Sequence, residues 1–139
     1  MPEIVTTDKA FLPPKHIPIS QAIKANGFIF LMGVGPRDPV TSQMVGTEIR
    51  EQTRQTIKNV QAILEAAGAG LKDVVRVTSL ITDREQFDGF NAVFDEYFAD
   101  VRPARSTFVI SGFRPEDMLM ELEVTAVDPN WKGCSCTKV

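Results

Sequence analysis

Histidine, tyrosine and tryptophan each occur once in the 139 residues, and the two cysteines, Cys134 and Cys136, both sit near the C-terminus. A closed zinc site wants four ligands, and beyond those thiols only His16 is on offer, so no metal is assigned and the Cys-Ser-Cys run reads as two free thiols on a tail. Basic charge is also scarce. Fifteen Lys and Arg face 18 Asp and Glu, for a net charge of -3, and no basic stripe is visible. That balance argues against a nucleic-acid binder, whose affinity comes mainly from phosphate contacts. No apolar run approaches the ~20 residues of a membrane span, and Met1-Pro2-Glu3-Ile4-Val5 lacks the basic and then apolar regions of a signal peptide, so a cytoplasmic protein without a membrane partner is expected. The glycines around Gly33 and Gly35 follow neither dinucleotide nor P-loop spacing, and no phosphate-binding lysine follows them.

What is present is globular: 43% hydrophobic and 24% charged residues. The length fits one domain, expected over residues 1–127 with a tail over 128–139, able to bury roughly 68% of its unfolded surface. Gly27 to Gly35 is rich in strand formers and runs into a turn at Pro36-Arg37-Asp38-Pro39. From Glu48 to Ala67, Ile49, Thr53, Ile57, Val60, Ile63, Leu64 and Ala67 recur at three and four, one buried helical stripe that Gly68 and Gly70 end. Glu48 and Glu51 fall in its first turn, where the helix dipole favours them. Val74 to Ile81 has the β-branched density of a central strand. Thr82 to Glu85 has capping-box spacing for a second helix, whose row of Phe87, Phe90, Phe94, Tyr97 and Phe98 reads as core.

The last two strands carry the chemistry. Arg102-Pro103-Ala104-Arg105-Ser106-Thr107-Phe108-Val109-Ile110 puts an arginine at the start of an apolar strand. At period two, Arg105, Thr107 and Val109 share one face and Ser106, Phe108 and Ile110 the other, which sets the guanidinium on the less apolar side. Leu119 to Val127 alternates likewise, with Glu121, Glu123 and Thr125 on one face and Met120, Leu122, Val124 and Ala126 on the other. If the two strands pair, arginine and glutamate share one polar pocket; the bland alternative is a salt bridge from Arg105 to Glu121 or Glu123. The element order is α+β, with two helices on one face of a mixed sheet. The opposite face, expected to carry Val34, Val109 and Val127 beside the charges, would be closed by oligomerisation.

From Ile19 to Val127 the chain resembles the RidA family of reactive-intermediate deaminases, also called YjgF. The resemblance runs through Ile19-Ser20-Gln21-Ala22-Ile23, Gly33 with Pro36, Glu51-Gln52-Thr53-Arg54, Leu64-Glu65-Ala66-Ala67-Gly68, Phe87 with Asn91, Tyr97-Phe98, Pro103-Ala104-Arg105-Ser106-Thr107 and Glu121-Leu122-Glu123. It implies the chorismate-mutase-like α+β fold and a barrel-like homotrimer with active sites in the clefts between subunits. It also implies cofactor-free hydrolysis of 2-imino and enamine acids to 2-keto acids and ammonia. Carried over by position, Arg105 would bind the substrate carboxylate and Glu121 would position water and move protons. Ile19, Met32, Gly33, Asn91 and Thr107 would line the pocket. Ile19 stands where many members have tyrosine, Met32 where many have serine and Thr107 where many have cysteine; the first two changes are expected to make the pocket more apolar and to favour a larger, less polar substrate. The alternatives are a non-catalytic binder of small carboxylates or of proteins, and a divergent deaminase of aminomuconate or biosynthetic type.

Overall fold

The computed structural model of the chain describes residues 1–133, so Cys134 and Cys136 lie outside the described residues. Six strands and two helices follow in the order β1 (Glu3–Val5), β2 (Ala22–Ala25), β3 (Phe28–Leu31), α1 (Ile49–Ala66), β4 (Val74–Ile81), α2 (Phe87–Phe98), β5 (Ala104–Val109) and β6 (Met120–Val127). They form one mixed sheet in the order β1-β2-β3-β6-β4-β5. Only β4 and β5 are parallel, joined by α2 as a crossover. The last strand, β6, runs antiparallel between β3 and β4, which makes it central and leaves β5 at an edge.

The alternation read in β6 holds: Met120, Leu122, Val124 and Ala126 are buried under the helices, while Glu123 and Val127 are exposed on the other face. Against this inner face α1 presents Ile57, Val60, Ile63 and Leu64, all fully buried, each worth about 1.5–3 kcal/mol of apolar burial. Glu48 caps α1 by accepting from the N–H groups of Arg50 and Glu51. At the other end Gly68, with φ +83°, makes a Schellman turn in which its N–H donates to Glu65 and that of Ala69 donates to Leu64. The second cap falls one residue later than the spacing suggests. Asp83 caps a short 3-10 turn and Gln86 Oε1 accepts from the N–H groups of Thr82 and Asp83, because the turn at Arg84–Gln86 precedes α2 proper.

Val34 is not on the open face. It bridges Leu122 and is buried with it under the helices. Apolar residues open on the outer face include Phe28, Phe30, Phe108 and Val127, between 41% and 53% exposed, whereas Val109, opposite the buried Ile81, lies on the helix side at the sheet edge. No helix is long and apolar enough to cross a membrane among the described residues. After β6 the chain turns back: Asp128 pairs with Lys24 at 3.0 Å, and the Trp131 ring lies over Gly27, where a Cβ would come within 2.8 Å of it.

Candidate functional site

Glu121 is the second residue of β6 and half-buried, directed into a cavity of about 320 Å³ lined by Ile19, Met32, Gly33, Arg37 and Met118 among others. Its carboxyl lies over Gly33 so closely that a Cβ there would fall 1.4 Å from Oε1. Glycine at 33 is therefore the space the carboxyl occupies. Burial first, and the like charge of Glu123 second, push the Glu121 carboxyl above the ordinary 4.5. Neither a cation nor a hydrogen-bond donor offsets this among the described residues. A carboxyl so placed, unpaired and partly shielded from water, is suited to accept and return a proton.

Arg105 and Glu121 do not share a pocket within one chain. The strand β4 separates their strands, and the register makes the faces explicit: Arg105 lies opposite Val77 and Glu121 opposite Leu80. Val77 and Leu80 are an odd number of residues apart, so their side chains point to opposite faces. Arg105 thus lies on the helix side at the sheet edge, and Phe108, read as the inner residue, lies on the open side. The salt bridge to Glu121 or Glu123 does not form among the described residues, whose ion pairs are Lys24 with Asp128 and Arg54 with Glu96. Instead the guanidinium carbon stacks against α2, 4.6 Å from the ring centre of Phe94, 5.5 Å from Phe90 and 5.9 Å from Phe87. The aromatic row is therefore core at Phe90, Phe94 and Phe98 and a bed for the arginine at its edge, with Phe87 exposed. Aromatic faces hold a guanidinium without consuming its N–H donors, which stay available to an anion.

Asn91 shares the open groove beside Arg105 with Asp95, Arg102 and Pro103. Thr107 lies on the Arg105 face, opposite Ser79. The expected site residues thus fall into two groups on one chain: Glu121, Gly33, Met32 and Ile19 at one cavity, and Arg105, Asn91 and Thr107 at the β5 edge. Arg37 was missed as a lining residue, since its position in a Pro-Arg-Asp-Pro turn signalled only the turn. Asn59 was missed as well; its amide reaches from α1 to the carbonyls of Gly35 at 3.0 Å and Arg37 at 2.8 Å, holding the cavity wall. No group of three or more candidate metal ligands occurs among the described residues.

The family model described as Endoribonuclease L-PSP matches residues 12–128. The chain belongs to this family, RidA/YjgF. A RutC family protein of Pyrococcus horikoshii is 45% identical over 127 residues, covering 91% of this chain and 98% of that one. The chloroplastic Reactive Intermediate Deaminase A of Arabidopsis thaliana is 39% identical, covering 89% of this chain and 65% of that one. Among solved structures, a Rid family protein of Yersinia pestis superposes with a TM-score of 0.86 at 34% identity, covering 91% and 99% of the two chains. The YjgF fold expected from the sequence is thus the fold observed, a mixed sheet with two helices on one face.

Proposed function

We propose that the chain is a cytoplasmic hydrolase of 2-imino acids and their enamine tautomers, working at a site that a second copy of the chain completes. The observation that carries this reading is the separation of two groups unpaired among the described residues: a carboxyl in a cavity on one side of the sheet and a guanidinium bedded on aromatic rings at the other. Each is half of a site. Packing the open faces of three copies would cover Phe28, Phe30, Phe108 and Val127 and bring the β5 edge of one protomer to the Glu121 cavity of the next.

In that setting the Arg105 fork holds the substrate carboxylate through two parallel hydrogen bonds, which fixes the position of the imine carbon. Glu121 accepts a proton from water as its oxygen bonds to that carbon, forming a tetrahedral carbinolamine. The same carboxyl then gives the proton to nitrogen. Glu121 next takes the hydroxyl proton and passes it to the nitrogen as the C–N bond breaks and the C=O bond forms, so that imino acid and water become 2-keto acid and ammonia. Asn91 and Thr107 flank the carboxylate end, and Ile19 and Met32 flank the side chain. No redox partner or cofactor enters this balance. The nuclease reading suggested by the family model's description has less support, because the single histidine, His16, is exposed on the N-terminal loop.

The test is complementation between two variants. Arg105→Ala and Glu121→Gln are each expected to abolish release of ammonia from imino acids generated in place by an amino-acid oxidase. Mixed one to one and allowed to exchange subunits, they are expected to regain about a quarter of wild-type activity, the fraction of interfaces at which both native residues meet in a random trimer. No recovery despite exchange would refute a site shared between subunits. A wild type that binds 2-keto acids without turning over any imino acid, with Glu121→Gln binding as well, would make the protein a carboxylate binder.

A further inference from the structure

We propose that Arg37 is a second anion-binding group in the Glu121 cavity, so that the preferred substrate is an imino acid whose side chain ends in a carboxylate. The substrate class rests on the deaminase reading above; the anion site itself does not. Arg37 lines the same cavity as Glu121 and is half-buried. Its backbone is fixed from below by Asn59, which donates to its carbonyl, and the loop around it is closed by hydrogen bonds from Val45 N–H to Pro36 and from Asp38 N–H to Gln43, each 2.8 Å. Its side chain is fixed as well. The guanidinium carbon lies 4.9 Å from the centre of the Phe11 ring, another cavity residue, and Nη1 donates to the carbonyl of Ser42 at 2.8 Å.

Among the described residues this cation has no counter-charge. A guanidinium has five N–H donors, and the bond to Ser42 is the one Arg37 makes among the described residues. The adjacent carboxylate, Asp38, is turned into its own loop, where Oδ1 accepts from the N–H groups of Val40 and Thr41 at 2.8 Å each. Glu121 lies beyond ion-pair distance, since the ion pairs among the described residues are two others. A half-buried cation held rigid, with donors not engaged among the described residues, meets an incoming acceptor with little further loss of side-chain freedom. Apart from Arg37, Glu121 and Asn59 the cavity is lined by apolar residues and glycines, Ile19, Met32 and Met118 among them, which suits methylenes rather than further polar groups. The volume, near the lower end of about 300–1,000 Å³ for ligand pockets, suits a short aliphatic dicarboxylate. The apolar residues at 19 and 32 thus share their cavity with a cation.

The experiment compares wild type, Arg37→Met and Arg37→Lys on imino acids made in place from glutamate and from methionine, side chains of similar length ending in a carboxylate and in a neutral thioether. The expected kcat/KM ratio, glutamate-derived over methionine-derived, is about tenfold or more in the wild type, collapses toward unity in Arg37→Met and is partly kept in Arg37→Lys. Calorimetry with 2-oxoglutarate and 2-oxohexanoate makes the same comparison without turnover. If no imino acid is hydrolysed, the deaminase reading falls while these affinities still decide the anion site. A wild type that binds both keto acids equally, or an Arg37→Met variant that keeps the wild-type preference, would overturn the proposal.

Discussion

Gly33→Ala separates the position of the Glu121 carboxyl from everything else the fold needs. The backbone at Gly33 is outside the left-handed region, so alanine is conformationally acceptable there, and the whole effect is steric. The new Cβ would lie 1.4 Å from Oε1 and 2.6 Å from Cδ, and an ordinary contact begins at 3.4 Å, so the carboxyl must move by about 2 Å. That is cheap for stability, because the displaced atoms are the free end of a flexible chain moving toward water; a loss below about 1 kcal/mol is expected. It is expensive for catalysis. A general base works within about 2.6–3.2 Å of the proton it takes, and a misplacement of ~1 Å costs about a hundredfold. The expected outcome is a kcat for imine hydrolysis reduced about a hundredfold or more, with a melting temperature within about 5 °C of wild type. Gly70→Ala, with nothing within 4 Å of its added Cβ, is the control and should change neither. Wild-type kcat in Gly33→Ala would refute the assignment of Glu121 as the group that handles water.

The remaining predictions use the same structure. Because Glu121 is held above the ordinary 4.5, first by burial and then by Glu123, the acid limb of the kcat profile should lie above that of a free glutamate, and Glu123→Gln should move it down without abolishing the shift. In linkage terms the folded state keeps the Glu121 proton to higher pH than the unfolded chain, so stability falls as pH rises from 4.5 through the raised value; Glu121→Gln should flatten that slope in urea titrations. Gln52 is fully buried and holds three backbone groups, donating to Asp117 at 2.7 Å and Gly46 at 3.2 Å and accepting from Leu119 at 2.8 Å; Gln52→Ala should cost about 2–4 kcal/mol by denaturant unfolding. Phe30→Asp on the open face should convert a particle of three times 15.4 kDa into a monomer by light scattering and remove imine hydrolysis with it, and an unchanged particle would mean that another surface assembles the protein.

Local pattern made much of the fold legible before any coordinates. The three-and-four spacing from Ile49 to Ala67 places α1 within a residue of its observed ends, and of the two glycines read as ending it Gly68 has the positive φ. Strand β6 was legible because its two faces differ sharply, with glutamates alternating against Met120, Leu122 and Val124, so burial on one side leaves no choice. Buried polar positions were not legible. Gln52, Thr56 and Asn59 lie on the inner side of α1 because each has a partner there, whether a carbonyl of the 35–37 loop, the Asp117 carbonyl or Met120 Sδ, and those partners are remote in sequence.

Strand β5 shows why periodicity alone misplaced the arginine. Both of its faces are mixed: Arg105, Thr107 and Val109 against Ser106 and Phe108. The rule that the more apolar face turns inward assumes that only one face is covered. Here the inner face meets α2 at the sheet edge, where Phe87, Phe90 and Phe94 accept the flat guanidinium and leave its donors outward. The other face carries Phe108, 53% exposed in the single chain, together with Phe28, Phe30 and Val127. A phenylalanine on an open face and an arginine on a closed one become consistent once a second copy covers the first and a substrate carboxylate meets the second. The inversion of β5 relative to its hydrophobic pattern is what the proposed division of the site between subunits would require: the strand would offer grease to a neighbouring protomer and a cation to the cleft beside it. Exchanging those duties in Arg105→Leu with Phe108→Arg should improve the monomer's own pattern while destroying both assembly and imine hydrolysis. Retention of either by that double variant would show that the face assignment of β5 does not carry the function.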